Sequence, residues 1–325
     1  MSLQVGIIGT GSFSKLHSNI LMEMKDVTLK AICGTSQKKA EQMATEFEGA
    51  IGYGHLTDML EAEKLDAVYI CVPPMAHGDI EKELIRRQIP FFVEKPLGVD
   101  LETVNSIVSQ LEGASLITSV GYHFRYKQSV QKLIETVENM QIGLVTGQWM
   151  GDMPQVPWWR KQDGSGGQFI EQTTHIVDLL RYVAGDVEEV YASYENRVTE
   201  NKYEGVEVPD VGTVTMKLKS GVVVAISNTC MMPGGIGQVG MSIYTDEGMV
   251  EWDPNHLKLT GVAGVLETTL DSDNPYTKES EAFIHAVRTG DTSKILSSYQ
   301  DAYETHKVTC AALESSRTGM PVKVN

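Results

Sequence analysis

Three short stretches of this 325-residue chain carry side chains whose types and spacing suit chemistry. The first is Gly9-Thr10-Gly11-Ser12-Phe13-Ser14, where glycines permit a tight turn and close approach of backbone N–H groups to a pyrophosphate at a helix N-terminus. Ser14 stands where the usual fingerprint has a third glycine, and it is small enough for close helix–strand packing. Gly9, Gly11, Ser12 and Phe13 are therefore candidate coenzyme contacts; the plainer reading is an ordinary glycine turn. The second stretch is Glu94-Lys95-Pro96. A lysine there can hydrogen-bond a reacting oxygen and stabilise developing negative charge, or simply lay its stem over apolar surface. The third runs from Glu171 to Asp178 and includes His175. The i, i+4, i+7 spacing of these three predicts one shared helix face. Imidazole titrates near neutrality and suits reversible proton transfer, with Glu171 orienting the ring or meeting a substrate hydroxyl. A buried histidine paired with a carboxylate of its own helix is the structural alternative. Carboxylate and histidine one turn apart can also ligate zinc, but no second histidine or cysteine lies nearby in sequence, so no metal is expected.

These groups need elements to hold them. In the first third, Val5–Ile8, Leu29–Cys33, Ala67–Val72, Phe91–Val93 and Leu116–Val120 read as buried strands. Helical spacing in 14–24, 37–47, 77–88 and 101–111 alternates with them, which predicts a parallel sheet covered on both faces. Beyond Gly121 the rhythm changes. A helix (130–139) and a strand (144–150) precede a Gly/Pro/Trp-rich loop at 151–167, then a helix over 169–184. Longer strand-like runs follow at 187–194, 211–218, 222–229, 239–244 and 256–260, with turn residues that suit antiparallel neighbours. Helices at 278–288 and 299–316 close the chain. The expected class is α/β: a dinucleotide-binding Rossmann domain over residues 1–121 and an α+β domain with a large, mostly antiparallel sheet over 122–325. The C-terminal helix is free to pack back on the first domain.

The second strand ends at Cys33-Gly34-Thr35-Ser36, without the acidic residue that usually binds both ribose hydroxyls of NAD. Thr35 and Ser36 can donate to a 2′-phosphate, with Lys38 or Lys39 adding charge, which tips the expectation from NAD toward NADP. The net charge of −16 and pI near 4.9 argue against nucleic acid or an anionic membrane as partner. The cysteines, Cys33, Cys71, Cys230 and Cys310, lie far apart with no C-x-x-C pair, as in a reducing compartment. No window has the roughly 20 apolar residues of a membrane span, and no signal peptide is expected before the first strand, so a cytoplasmic location is the expectation.

Further motifs stand in a telling order: Cys71-Val72-Pro73-Pro74-Met75-Ala76-His77, then Glu94-Lys95-Pro96, Gly166-Gly167 followed by His175 and Asp178, Glu281-Ala282-Phe283, and Arg317-Thr318-Gly319-Met320-Pro321-Val322. With Gly9 and Gly11 they make the whole chain resemble the glucose–fructose oxidoreductase / inositol dehydrogenase / MocA family. The resemblance implies a Rossmann domain plus a sheet domain, and homodimers or homotetramers formed through the outer sheet face. It implies that Lys95 contacts substrate and nicotinamide, that His175 accepts the proton when an alcohol is oxidised, and that Pro73, His77 and Glu94 lie along the coenzyme. Three positions depart from the family pattern. Glu171 replaces an aspartate, Thr173 a glycine, and His123 the asparagine of an N-x-R-like segment, which leaves Arg125 as the substrate contact there. Trp159 and Arg160, in Pro157-Trp158-Trp159-Arg160, either stack on and pair with a sugar or anchor their loop. The implied activity is hydride transfer between NADP or NAD and a secondary alcohol or carbonyl of a sugar, polyol or similar small molecule. A non-catalytic coenzyme sensor and a glycoside-cleaving enzyme with transient oxidation are the alternatives.

Overall fold

The computed structural model describes residues 2–262, 264–269 and 273–325. Chain contacts group them into two compact units. The first comprises residues 2–98, 102–123 and 274–301, and the second the described residues of 99–101, 124–273 and 302–325.

In the first unit β1 (Leu3–Ile8), α1 (Ser12–Glu23), β2 (Val27–Cys33), α2 (Gln37–Ala44), β3 (Ile51–Tyr53), α3 (Leu56–Ala62), β4 (Ala67–Ile70), α4 (Asp79–Arg86), β5 (Phe91–Val93), α5 (Leu101–Leu111) and β6 (Thr118–Val120) alternate along the chain. The six strands pair in parallel in the order β3-β2-β1-β4-β5-β6. The order reverses direction at β1, and the C-terminal strand ends beside such a switch are where open α/β sheets bind ligands. β4 and β5 are buried at every residue, as a sheet covered on both faces requires.

The second unit contains α6 (Gln128–Val137), β7 (Ile142–Met150), α7 (Gln162–Ser165), α8 (Gln168–Glu171), α9 (Thr174–Ala184), β8 (Val187–Glu195), β9 (Val211–Leu218), β10 (Val223–Thr229), β11 (Gln238–Thr245), β12 (Gly248–Trp252), β13 (His256–Gly261) and β14 (Gly264–Thr269). Next come α10 (Pro275–Thr289), which belongs to the first unit, and then α11 (Tyr299–Thr318) and β15 (Val322–Lys323). Nine strands form one sheet in the order β14-β13-β12-β11-β7-β10-β9-β8-β15, antiparallel except where β7 and β10 run parallel. Its core packs Val145, Val214, Val224, Ile226 and Ile243 against Ile176, Leu179 and Leu180 of α9.

Several expectations change. The strands β3, β12, β14 and β15 and the helix α3 are additions; β3 has three residues and β15 two, too few to show a period. The boundary at Gly121 left 274–301 with the second domain, whereas the contacts group it with the first. Phe283 and Ile284 of α10 are buried in the core formed by Val5, Ile7, Tyr69 and Phe92. The single helix expected over 169–184 is two helices, α8 and α9. Thr173 N–H reaches back five residues to Gln168 O, and His175 N–H only three, to Gln172 O. The Gln168 side chain fastens this joint to β10, donating to Thr229 O at 2.9 Å and accepting from Asn228 Nδ2 at 2.8 Å.

Candidate active site and coenzyme cradle

In the first unit, β1 runs into the glycine loop and out into α1. Gly9 has φ +120°, and a Cβ there would lie 2.1 Å from Cys71 O, so only glycine fits. A Cβ on Gly11 would meet nothing within 4 Å, so this position faces open space. Gly11 caps α1 without a side-chain hydrogen bond, and the first turn, which includes Ser12 and Phe13, holds no acidic residue. The N–H groups of any first helical turn lack intrahelical partners, so this end of a 12-residue helix presents bare donors and positive potential. Phe13 is exposed on the same turn.

At the end of β2, Thr35 and Ser36 are exposed, as is Lys38. Ser36 caps α2 by accepting from Lys39 N–H at 3.4 Å, which leaves its own O–H to donate. Thr35 Oγ1 accepts from Lys39 Nζ at 3.4 Å, so Lys39 rather than Lys38 is the lysine beside the two hydroxyls. A depression of about 290 Å³ beside them is lined by Thr10, Lys15, Lys39, Gln42, Met43 and Glu46.

Pro73 precedes a short turn of 3-10 helix, Pro74–Ala76. His77 Nδ1 lies 2.6 Å from Glu81 Oε1, while Glu81 Oε2 accepts from Gly78 N–H at 2.7 Å and so fastens the start of α4. A carboxylate only accepts, so Nδ1 carries a proton toward Glu81. Nε2 is buried and makes no hydrogen bond, an orphaned atom of the kind a bound hydroxyl satisfies. Glu94 is buried and receives His17 Nε2 at 2.8 Å. Lys95 follows half-buried, and its peptide bond to Pro96 is cis.

In the second unit, His175 is 5% exposed on α9, its ring stacked on Trp149 (centroids 5.6 Å, 18° between planes) and tilted against Phe124 at 5.1 Å. Glu171, half-buried at the end of α8, accepts from Trp159 Nε1 at 2.7 Å. The break between α8 and α9 thus replaces the single face expected for Glu171, His175 and Asp178. Asp178 belongs to another network. Its oxygens accept from Arg125 Nε at 2.8 Å and Nη2 at 2.6 Å, and Thr305 Oγ1 donates to it at 3.1 Å. Arg125 is 2% exposed and lies 4.6 Å from the Tyr182 ring.

Two of the expected substrate contacts are bonded within the second unit. Arg125 spends its fork on Asp178 inside the protein, and Trp159, 1% exposed, anchors its loop through Glu171. Arg160 keeps a half-buried guanidinium 4.8 Å from the Tyr203 ring. Sequence reasoning missed Trp149, which forms one wall of His175, and the buried pair His17 and Glu279. His17 had a signal: it lies in phase with Ser14, Ser18 and Leu21 on the buried side of α1, where a polar ring needs a partner.

A parallel sheet with a bare helix N-terminus at its switch point defines a dinucleotide-binding fold in the first unit, and the second unit is a broad sheet domain with a buried histidine on α9. The chain belongs to the Gfo/Idh/MocA oxidoreductase family: residues 3–122 match its NAD-binding Rossmann fold and residues 128–251 its C-terminal domain. Among curated relatives, a myo-inositol 2-dehydrogenase of Thermotoga maritima is 27% identical over 89% of each chain. A D-xylose 1-dehydrogenase (NADP(+)) of Haloferax volcanii is 22% identical over 99% of this chain and 100% of its own. Among solved structures, a levoglucosan dehydrogenase in complex with NADH and L-sorbose superposes with a TM-score of 0.89 over all of both chains at 18% identity. Among the described residues, no helix is long and apolar enough to cross a membrane.

Proposed function

We propose that this oxidoreductase acts on a secondary alcohol, or the matching carbonyl, of a sugar or polyol. The observation that carries the reading is the N-terminus of α1, where Gly9 is sterically obligatory, Gly11 faces open space and no acid or side-chain cap competes for the donors. When bound, the nicotinamide coenzyme supplies the hydride acceptor or donor. Lys95 donates an Nζ–H to the reacting oxygen and stabilises the charge that develops there. His175 takes the hydroxyl proton on an imidazole nitrogen, and returns it in the reverse direction. Glu171, held by Trp159, and Arg160 contact substrate hydroxyls. Pro73 and Glu94 line the coenzyme path, and His77 Nε2 accepts from a hydroxyl along it. The dehydrogenases named for inositol and xylose among its relatives support the substrate class.

NADP is the preferred coenzyme in this reading. Thr35 and the free O–H of Ser36 donate to the 2′-phosphate, Lys39 adds charge from its place beside Thr35, and Lys38 stands next to it on α2. Fluorescence titration with NADPH and NADH, on wild type and on Lys95→Ala, tests the reading. It expects tighter NADPH binding that Thr35→Ala/Lys39→Ala weakens. It also expects turnover of at least one member of a sugar and polyol panel, lost in Lys95→Ala. NADH preference refutes the NADP assignment alone, and absence of binding by either nucleotide refutes the whole proposal.

A further inference from the structure

Behind Lys95 lies a cluster that the proposed reaction does not use. His17 of α1, Glu94 after β5 and Glu279 of α10 are 0%, 5% and 0% exposed, and one nitrogen or oxygen from each lies within 4.8 Å of the others. His17 Nε2 donates to Glu94 Oε1 at 2.8 Å, and its Nδ1 lies 3.4 Å from Ser280 Oγ. The walls are aromatic: Tyr69, Phe92 and Tyr276 have ring centroids 5.4, 4.9 and 6.4 Å from the imidazole. Gly121 closes one side, where a Cβ would come within 3.0 Å of the Glu94 carboxyl. Both oxygens of Glu279 are buried and receive no hydrogen bond from any donor among the described residues.

Two ionised carboxylates side by side in such a place repel each other and are each stripped of water, and only Glu94 has a donor, His17, to offset that. A proton between them removes both penalties. We propose that Glu279 is a neutral acid that donates its O–H to Glu94, and that this proton-sharing pair, braced by His17, positions the Glu94-Lys95 turn against α1. Glu94 is the residue before Lys95, and its N–H is fixed on Ile70 O at 2.9 Å, so its carboxyl is the handle by which the turn is held. α1 is the helix whose first turn forms the phosphate loop, and α10 brings in the acid. The pair therefore sets the lysine and the phosphate site in one frame, a consequence that rests on the oxidoreductase reading.

Burial and the neighbouring Glu94 charge both hold the Glu279 carboxyl well above the usual carboxylate range. The Glu94 charge adds to burial in raising the Cys71 thiol and the Tyr276 phenol that face the pair. In the proposed pair the group is neutral in the folded chain and ionised in the unfolded one at neutral pH. Its contribution to stability is complete below the ordinary glutamate range and is lost as pH rises through the folded value. Over that interval the folding equilibrium weakens by up to about tenfold per pH unit.

Infrared spectroscopy and urea unfolding test this. Wild type at about pH 7.5, where solvated carboxylates are ionised, shows a protonated-carboxyl C=O band that Glu279→Gln lacks. From about pH 6 to about pH 9 the wild-type urea midpoint falls, while Glu279→Gln, whose amide donates in place of the acid, loses that part of the slope. Glu279→Gln keeps NADPH affinity close to wild type, whereas Glu279→Ala, with no donor for Glu94, loosens it. Absence of the band, or equal slopes in wild type and Glu279→Gln, overturns the proposal. So does one equivalent of zinc that co-purifies and is lost in His17→Ala. Should Glu279→Gln not fold, the wild-type band decides by its presence or absence. A band without binding of either nucleotide upholds the shared proton and refutes only the coenzyme function.

Discussion

Asp178→Ala would take from the buried Arg125 guanidinium the carboxylate onto which its fork closes. Arg125 is 2% exposed, and its Nε and Nη2 both end on Asp178, at 2.8 and 2.6 Å. Thr305 also loses the acceptor for its hydroxyl. Removing one partner of a buried pair leaves an uncompensated charge and costs about 3–5 kcal/mol. At about 2–4 °C per kcal/mol for a domain of 150–250 residues, the melting temperature falls by about 6–20 °C. All four tryptophans, Trp149, Trp158, Trp159 and Trp252, lie in the second unit, so tryptophan fluorescence follows that unit rather than the first. Arg125→Met/Asp178→Leu removes both charges and should recover most of the loss, because apolar replacement of a buried ion pair is often neutral or better. If Asp178→Ala melts within about 2 °C of wild type, a shift worth about 1 kcal/mol or less, the pair is not held as described. If the double variant is no more stable than the single, the penalty is not that of an unpaired charge.

Gly9→Ala forces a Cβ to 2.1 Å from Cys71 O at φ +120°, and should cost about 1–3 kcal/mol in backbone strain alone and abolish NADPH binding in the fluorescence titration. Burial pushes the Cys230 and Cys310 thiols up to about 12 and Cys33 to about 11, from 9.0. A rise of three pKa units cuts the thiolate about 1000-fold at pH 8, so a chromogenic disulfide reagent should label the native protein far more slowly than the urea-unfolded chain. Equal rates would show the thiols to be open. Val223, Leu144 and Tyr244 are in register across β10, β7 and β11 and are all exposed. We predict that a second copy covers this stripe, so that Val223→Asp shifts sedimentation toward the monomer. An unshifted wild-type oligomer would place the interface elsewhere.

What could be read along the chain followed the range of the interaction involved. The phosphate loop, β5 and α5 depend on local periodicity and turn chemistry, and the expected bounds of β5 and α5 are those observed. The break after Glu171 depends on Gln168 meeting Thr229 and Asn228, about sixty positions away, and no helical period reports that. The N-x-R-like segment marks Arg125 as a candidate substrate contact, whereas its ion pair leaves no trace in the local sequence. Its partner Asp178 is 53 positions on, at a spacing from His175 that by itself predicts a shared helix face. Thr35 and Ser36 stand at a strand end recognisable from sequence, but the choice of Lys39 over Lys38 needed the turn of α2 that points its Nζ back to Thr35. His17 and Glu279 are 262 positions apart, beyond any local signal.

The return of α10 to the first unit has a consequence for biosynthesis. Phe283 packs edge-on to Tyr69 at 5.4 Å and tilted to Phe92 at 6.1 Å, and truncating a buried phenylalanine to alanine costs about 3–5 kcal/mol. While the ribosome is still making the sheet of the second unit, the emerging N-terminal segment has all six of its strands but lacks this helix, and the acid partner of Glu94 with it. Its core stays open on that side until residues near Thr289 have cleared the exit tunnel. The N-terminal third therefore lacks one wall of its aromatic core until α10 is made, and apolar surface exposed in this way during translation is what chaperones bind. Cutting the gene at the Gly121 boundary would make that gap permanent.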